Sequence, residues 1–376
     1  LIDIPLSRPD IGPEEIAAVT EVLRSPHLSL GPKLGQFEAA LGRFCNSPHV
    51  IATSSGTAAL HLCLRALSLP QGSEVITTPF SFIASANVLL FERLKPVFVD
   101  IDPETLNMDP TRIEAAIGPK TKAILVVHAF GNPAPMPAIM AIAQRFELAV
   151  IEDACEAIGS TIEGRHVGTW GDLGTLAFYP NKQMTTGEGG AILTHRPEFS
   201  ERLRILRNQG RKPSGQWLDM EELGYNYRLS DIQCALGIAQ VSRLKNILAK
   251  RCEVASRYDT ILASFEEVQR PPRPDLAESM GWFVYVIRLA DRFSRSDRDR
   301  IVSAMGEAGI ACGRYFAPIH LQPYYRRHFG FQEGCFPLTE AAANRAIALP
   351  FFNKLSDDQA QRVGEELRRS IDTVSG

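Results

Sequence analysis

The feature that most constrains this chain is a regular alternation through its first two thirds: short apolar, β-rich runs separated by longer stretches with helical periodicity. Alternation of this kind is how right-handed βαβ crossovers build a parallel sheet covered by helices. Strands are expected at 48–52, 74–77, 96–99, 123–128, 148–152, 174–178 and 190–194. Between them, GTAALHLCLRAL, FSFIASANVLLFE and MPAIMAIAQRFE have helical length and spacing, with Gly and Pro at the junctions. The expectation is a seven-stranded, mostly parallel α/β sheet.

From Leu229 to about Phe265 the pattern reads as one long amphipathic helix, capped by Ser230 or Asp231 and closed by the Pro-rich QRPPRPD at 269–275. Beyond it, GWFVYVIRL and IACGRYF read as strands, and SRSDRDRIVSAMGEAG and LSDDQAQRVGEELRRSID as helices. At 376 residues the chain is long enough for two domains. We expect a large α/β domain over 1–250 and a smaller α+β domain over 251–376.

Charge excludes some functions. Forty Lys and Arg oppose forty-three Asp and Glu, so no global positive field draws the chain to nucleic acid or an anionic membrane. An anionic ligand must be held locally. No apolar run approaches membrane-spanning length, and the opening LIDIPLSRPD lacks the basic and apolar regions of a signal peptide. Seven scattered cysteines without a C-x-x-C pair suit neither a disulfide framework nor a zinc site, so the reducing cytoplasm is the expected compartment.

Three local features carry chemistry. In ATSSGT at 52–57 a strand runs into Ser-Gly-Thr and then a helix, which presents free backbone amides to an anion such as phosphate. The same residues also suit a plain helix cap and turn. In LAVIEDACEAIG a buried strand delivers Glu152 and Asp153 to its carboxyl end, where open α/β sheets bind ligands; Asp153 is placed to hold a cation or to cap the next helix. In AFYPNKQMTTGEGG at 177–190 a lone Lys182 sits between a strand and a Gly-rich turn. Phosphate cup, Asp and reactive amine, in that order, are the parts of a pyridoxal 5'-phosphate (PLP) site.

Together with TTPFSFIASAN at 77–87, EDACEAIG at 152–159 and GYNYRLSDIQCALGIAQ at 224–240, these blocks give the chain a resemblance to sugar aminotransferases of the DegT/StrS family. That family is a branch of the fold-type I, aspartate-aminotransferase-like PLP enzymes. The resemblance implies that Lys182 is the Schiff-base lysine and Asp153 the partner of the pyridine nitrogen. Gly56 and Thr57 would bind the phosphate and Phe82 would stack on the cofactor ring, although a core aromatic is the plainer reading of Phe82. Glu156 stands where Gln or His is common near the phenolic oxygen, Ala177 where serine is common, and Gln209 where His is common. Asn226 would reach the phosphate of the other subunit, implying a homodimer with shared active sites.

His320 and Tyr324, in GRYFAPIHLQPYY at 313–325, are the substrate contacts the resemblance suggests; packing under the terminal helices is the alternative. ERLRILRNQGRK at 201–212 could supply charge to a nucleotide diphosphate or form a solvated basic helix face. The implied reaction moves an amino group from L-glutamate, leaving 2-oxoglutarate, onto a keto group of a nucleotide-linked sugar. A free keto-sugar or keto-cyclitol is the rival substrate, and a non-catalytic regulator the rival class. Lys182 opposes the related dehydratases, which carry histidine at that position.

Overall fold

The computed structural model of the chain describes residues 2–212, 219–273 and 278–375. The main sheet is built from β1 His49–Thr53, β2 Glu74–Thr77, β3 Lys95–Phe98, β4 Thr121–Val127, β5 Ala149–Asp153, β8 Leu173–Ala177 and β9 Gly190–Thr194. Their order is β1-β9-β8-β5-β4-β2-β3. Only β9 runs against its neighbours; the pairs β8/β5, β5/β4, β4/β2 and β2/β3 are parallel. The expected strands therefore stand, each within two residues of its anticipated limits. Their near-continuous burial is what a sheet covered on both faces requires.

Between β5 and β8 a small hairpin, β6 Thr161–Ile162 and β7 Arg165–His166, pairs with β11 Glu278–Ser279. A second sheet joins β10 Val268–Gln269, β12 Tyr285–Leu289 and β13 Ala346–Leu349. Here one expectation is corrected. Residues 310–316 do not form a strand; they make only isolated bridges, Ile310 to Ile4 and Gly313 to Ala348, and the sheet takes its third strand from AIAL at 346–349.

The long helix is two, Asp231–Ser242 and Leu244–Ile261, broken at Arg243, whose guanidinium is drawn to Asp10 and Glu15. Ser230 is the cap, accepting from the Gln233 amide at 3.3 Å. Asp231 instead caps the neighbouring Lys33–Cys45 helix, accepting from the amides of Gly31 and Lys33 at 2.7 and 2.9 Å. Leu244 and Ile247 of the second helix belong to the main core, while its Val254, Ala255 and Tyr258 join Ile4, Trp282 and Tyr285 in the core of the second sheet. Of the Pro-rich break, Pro274 and Asp275 lie outside the described residues. Among the described residues no helix is long and apolar enough to cross a membrane.

Strand alternation separates the two acids that end β5. Glu152, fully buried, accepts from the amides of Gly168, Trp170 and Gly171 at 2.6 to 2.7 Å and meets His128 Nε2 at 3.1 Å. His128 Nδ1 accepts from the Ala134 amide at 3.0 Å, so Nε2 carries the proton and donates to Glu152. Replacing Glu152 by Ala strands several buried donors at once. Glu152→Ala is expected to lose about 3–5 kcal/mol of stability, read as a lowered denaturation midpoint; a shift too small to measure would show that the loop does not hang on this carboxylate.

Candidate active site

The carboxyl ends of β1, β2, β4, β5 and β8 converge on one cavity of about 460 Å³. Each strand passes there into a segment that lines it, as the crossover topology dictates.

After β1, Ser55 caps the helix Gly56–Leu67 by accepting from the Ala58 amide at 3.0 Å. Gly56 and Thr57, the first helical residues, face the cavity, and their amides have no preceding turn to bond. A β-carbon at Gly56 would come within 2.7 Å of the Ala177 Cβ and 3.0 Å of Cys155 Sγ. Glycine is thus set by the approach of β8, and the cap and the anion cup are the same structure.

After β2, Ser85 donates to Asp153 Oδ2 at 2.7 Å and contacts Ser81 at 2.8 Å. The Cys155 amide donates to Asp153 Oδ1 at 3.2 Å. Phe82 is 61% exposed and lines the cavity, so it is not a core aromatic. Among the described residues Asp153 has no ion pair: a buried carboxylate on a cavity wall, held only by neutral donors, lacks a cation.

After β8, the Lys182 loop is pinned by its threonines. Thr185 Oγ1 donates to the Phe178 carbonyl at 2.9 Å and accepts from Gly187, whose φ of +80° suits glycine. Lys182 Nζ lies 3.3 Å from Glu156 Oε1 and 3.9 Å from the centre of the Phe283 ring. Glu156 is turned so that its other oxygen accepts from the Phe130 amide at 3.1 Å. Burial pushes its carboxyl above the ordinary carboxylate range, with Lys182 and the Phe130 amide pulling the other way.

The structure also brings in residues that sequence reasoning passed over. Tyr315 and Phe316 line the cavity, Tyr315 stacked at 11° on Phe283 and Phe316 at 12° on Phe130. They belong to the block that was singled out, but within it His320 and Tyr324 are not on this wall. His320 is 0% exposed, its Nε2 2.9 Å from Glu340 and its ring edge-on to Phe336. Burial lowers its pKa. Tyr324 is exposed and stacks on His328 at 12°. Asn181 and Tyr179 line the cavity too; the Asn181 Oδ1 is buried without a hydrogen-bond partner.

Asn226 does not line the cavity and is exposed, on a segment whose neighbouring tyrosines are half-buried. Its flanking Tyr225 and Tyr227 stack together at 14°, and the Tyr227 carbonyl accepts from Ser54 at 2.9 Å, next to the cup. The basic stretch 201–212 is helical only as far as Arg207, and its helical arginines are committed elsewhere: Arg204 and Arg207 both pair with Glu38, and Arg202 with Glu222.

These residues fit PLP by the chemistry of the donor set: amides for a phosphate, a cation-lacking carboxylate for a protonated ring nitrogen, and an amine on the wall between them.

Comparison with known proteins agrees. The family model described as the DegT/DnrJ/EryC1/StrS aminotransferase family matches residues 9–368. The spore coat polysaccharide biosynthesis protein SpsC of Bacillus subtilis is 37% identical over 99% of this chain and 97% of its own length. The Streptococcus pneumoniae protein Spr1654, solved in both PMP and PLP forms, superposes with a TM-score of 0.94. In the PMP form it is 27% identical and is covered over its full length by 99% of this chain. PseC of Helicobacter pylori, an aminotransferase involved in the biosynthesis of pseudoaminic acid, also reaches 0.94, at 28% identity over 98% of this chain and 99% of its own. The architecture is that of a fold-type I PLP-dependent transferase, and the chain belongs to the DegT/DnrJ/EryC1/StrS aminotransferase family.

Proposed function

We propose that this protein transfers the amino group of L-glutamate to a keto group of a nucleotide-linked sugar, working as a homodimer with shared active sites in the cytoplasm. The observation that carries the chemistry is the buried, cation-lacking Asp153 sharing one cavity with the Lys182 amine and the amides of Gly56 and Thr57. SpsC and PseC, named for roles in polysaccharide and pseudoaminic acid biosynthesis, support a sugar as amino acceptor. Lys182 in place of histidine supports amino transfer over dehydration.

Bound PLP supplies an electron sink for the charge left when an amino acid loses its Cα proton. This chain's residues do the rest. Asp153 holds the ring nitrogen in its charged form, and Ser85 and the Cys155 amide fix the carboxylate's direction. Gly56 and Thr57 take the phosphate at the helix N-terminus. Phe82, exposed at the cavity mouth, would pack against the ring of the bound cofactor. Lys182 Nζ removes the Cα proton and returns it at the other end of the transfer, and Glu156 beside it steadies the charged amine between those acts. Tyr315, Phe316 and Phe283 give one wall of the cavity an aromatic surface.

The reading is tested by incubating holoenzyme with glutamate and a panel of nucleotide-linked and free keto-sugars. Formation of 2-oxoglutarate and an amino sugar on nucleotide-linked acceptors is the expected result; turnover confined to free keto-sugars or keto-cyclitols would replace the acceptor. Spectral change with glutamate but no turnover on any acceptor would remove the sugar reading. No response to glutamate at all would favour a non-catalytic regulator.

Lys182→Ala should lower turnover by at least about 10²-fold, the ordinary worth of a positioned acid-base group. Asp153→Asn should retain measurable cofactor binding and slow Cα proton loss by about 10²-fold, since a neutral amide cannot hold the charged ring nitrogen. Single-turnover absorbance kinetics with glutamate checks both, and wild-type rates in either variant would strip that residue of its role.

Shared sites make a separate expectation. Asn226→Asp would set a carboxylate against the partner's phosphate and inactivate the enzyme. Mixed with Lys182→Ala chains, it should regain activity, because a heterodimer carries one site with both lesions and one with neither. Tagged heterodimers without recovery would place Asn226 in its own subunit's site.

A further inference from the structure

A second cavity of about 460 Å³ lies against the first, with Phe316 in the wall of both. Its character is different. Arg295, Arg298, Arg314 and Arg326 line it, whereas Lys182 is the one cationic side chain among the described residues lining the catalytic cavity.

The carboxylates near these arginines are unevenly shared. Asp299 takes the Nε of both Arg298 and Arg314 at 2.8 Å. Glu340 is occupied by His320 and by the amides of Gly334 and Phe336. Glu333 is exposed on the wall. Arg295 and Arg326 have no ion pair among the described residues, and both are exposed. Arg298 is buried, held by the carbonyls of Ala343 and Ala346. Its pKa is lowered, first by burial and further by the charges of Arg314 and Arg295. Guanidinium groups crowded with too few carboxylates are relieved by an anion, and planar, multidonor guanidinium is the side chain best matched to phosphate oxygens.

In a nucleoside-diphosphate sugar the diphosphate joins the sugar to the nucleoside, and Lys182 is the one cation that the described residues of a single subunit place on the wall of the catalytic cavity. The basic helix Pro197–Arg207 spends Arg202, Arg204 and Arg207 on Glu222 and Glu38. We infer that the second cavity is the diphosphate subsite, with Arg295, Arg314 and Arg326 taking the phosphate groups of a nucleotide-linked sugar whose keto end occupies the catalytic cavity. Phe316 then sits at the junction, where it would touch the sugar. The inference rests on the nucleotide-linked acceptor.

Holoenzyme carrying Arg295→Ala and Arg326→Ala together tests it. The KM for the nucleotide-linked keto-sugar should rise by about tenfold or more, while the KM for glutamate and the rate of its half-reaction stay within about twofold. Arg295→Lys with Arg326→Lys, which keeps the charge, should recover most of the affinity; equal loss in both pairs would overturn an electrostatic role. Inorganic pyrophosphate should inhibit the wild type competitively against the sugar and much less in the alanine pair. Inhibition that is not competitive would assign the cavity to a separate anion and overturn the subsite. If nucleotide-linked acceptors turn over but the alanine pair leaves their KM and pyrophosphate inhibition unchanged, the inference fails and the acceptor reading survives. If only free keto-sugars turn over, the acceptor reading itself fails.

Discussion

The structure depends on what happens to the two carboxylates at the end of β5. Glu152 is turned behind the sheet, where three backbone amides and His128 fill its oxygens, so the 168–171 loop is fastened to the strand. With its neighbour anchored, Asp153 projects the other way with little freedom, and Ser85 and the Cys155 amide settle its direction. A buried ion is costly unless well bonded, so each acid needs its own set of donors. One set comes from a loop and closes the fold. The other leaves room for a cation and makes a site.

Close approach does the remaining assembly. Gly56 admits Ala177, and a β-carbon on Gly190 would come within 2.5 Å of the Ser55 carbonyl, so the cup and the end of β9 are pressed together. Lys182 reaches the same cavity from the loop between β8 and β9. The serine commonly found where Ala177 stands would have to fit beside Gly56; alanine puts no hydroxyl there, and the first helix amides remain the anion donors at this corner. Nothing in the structure explains Gln209 beyond its place beside Tyr225, whose carbonyl accepts from the Gln209 amide.

The segment 313–325 shows how one block divides its work. Tyr315 and Phe316 face the cavity, whereas His320, four residues on, is buried against Glu340 and Phe336. Histidine attracts a functional reading because it is rare and versatile, but here its ring fills a core and its Nε2 orders Glu340. The two rings that do line the site carry no such signal, since aromatics pack routinely. Asn181 and Ser85 were legible only as members of conspicuous blocks.

By itself the sequence determined the architecture and the reactive set. Alternating apolar periods specify a parallel sheet, strand ends then converge by topology, and Asp153 sits at such an end with Lys182, Gly56 and Thr57 just past others. These are local patterns, written in neighbouring residues. The tertiary structure decided what depends on contacts between distant segments. It broke the helix at Arg243, whose side chain pairs with the distant Asp10 and Glu15, and it took the last strand of the second sheet from 346–349 instead of 310–316. It set Phe283 beneath Lys182 and Ser85 against Asp153, and it left Arg295 and Arg326 without carboxylate partners beside the catalytic cavity. Which way a side chain faces, and which charge finds a partner, is settled by packing between segments far apart in the chain, and no local period encodes that.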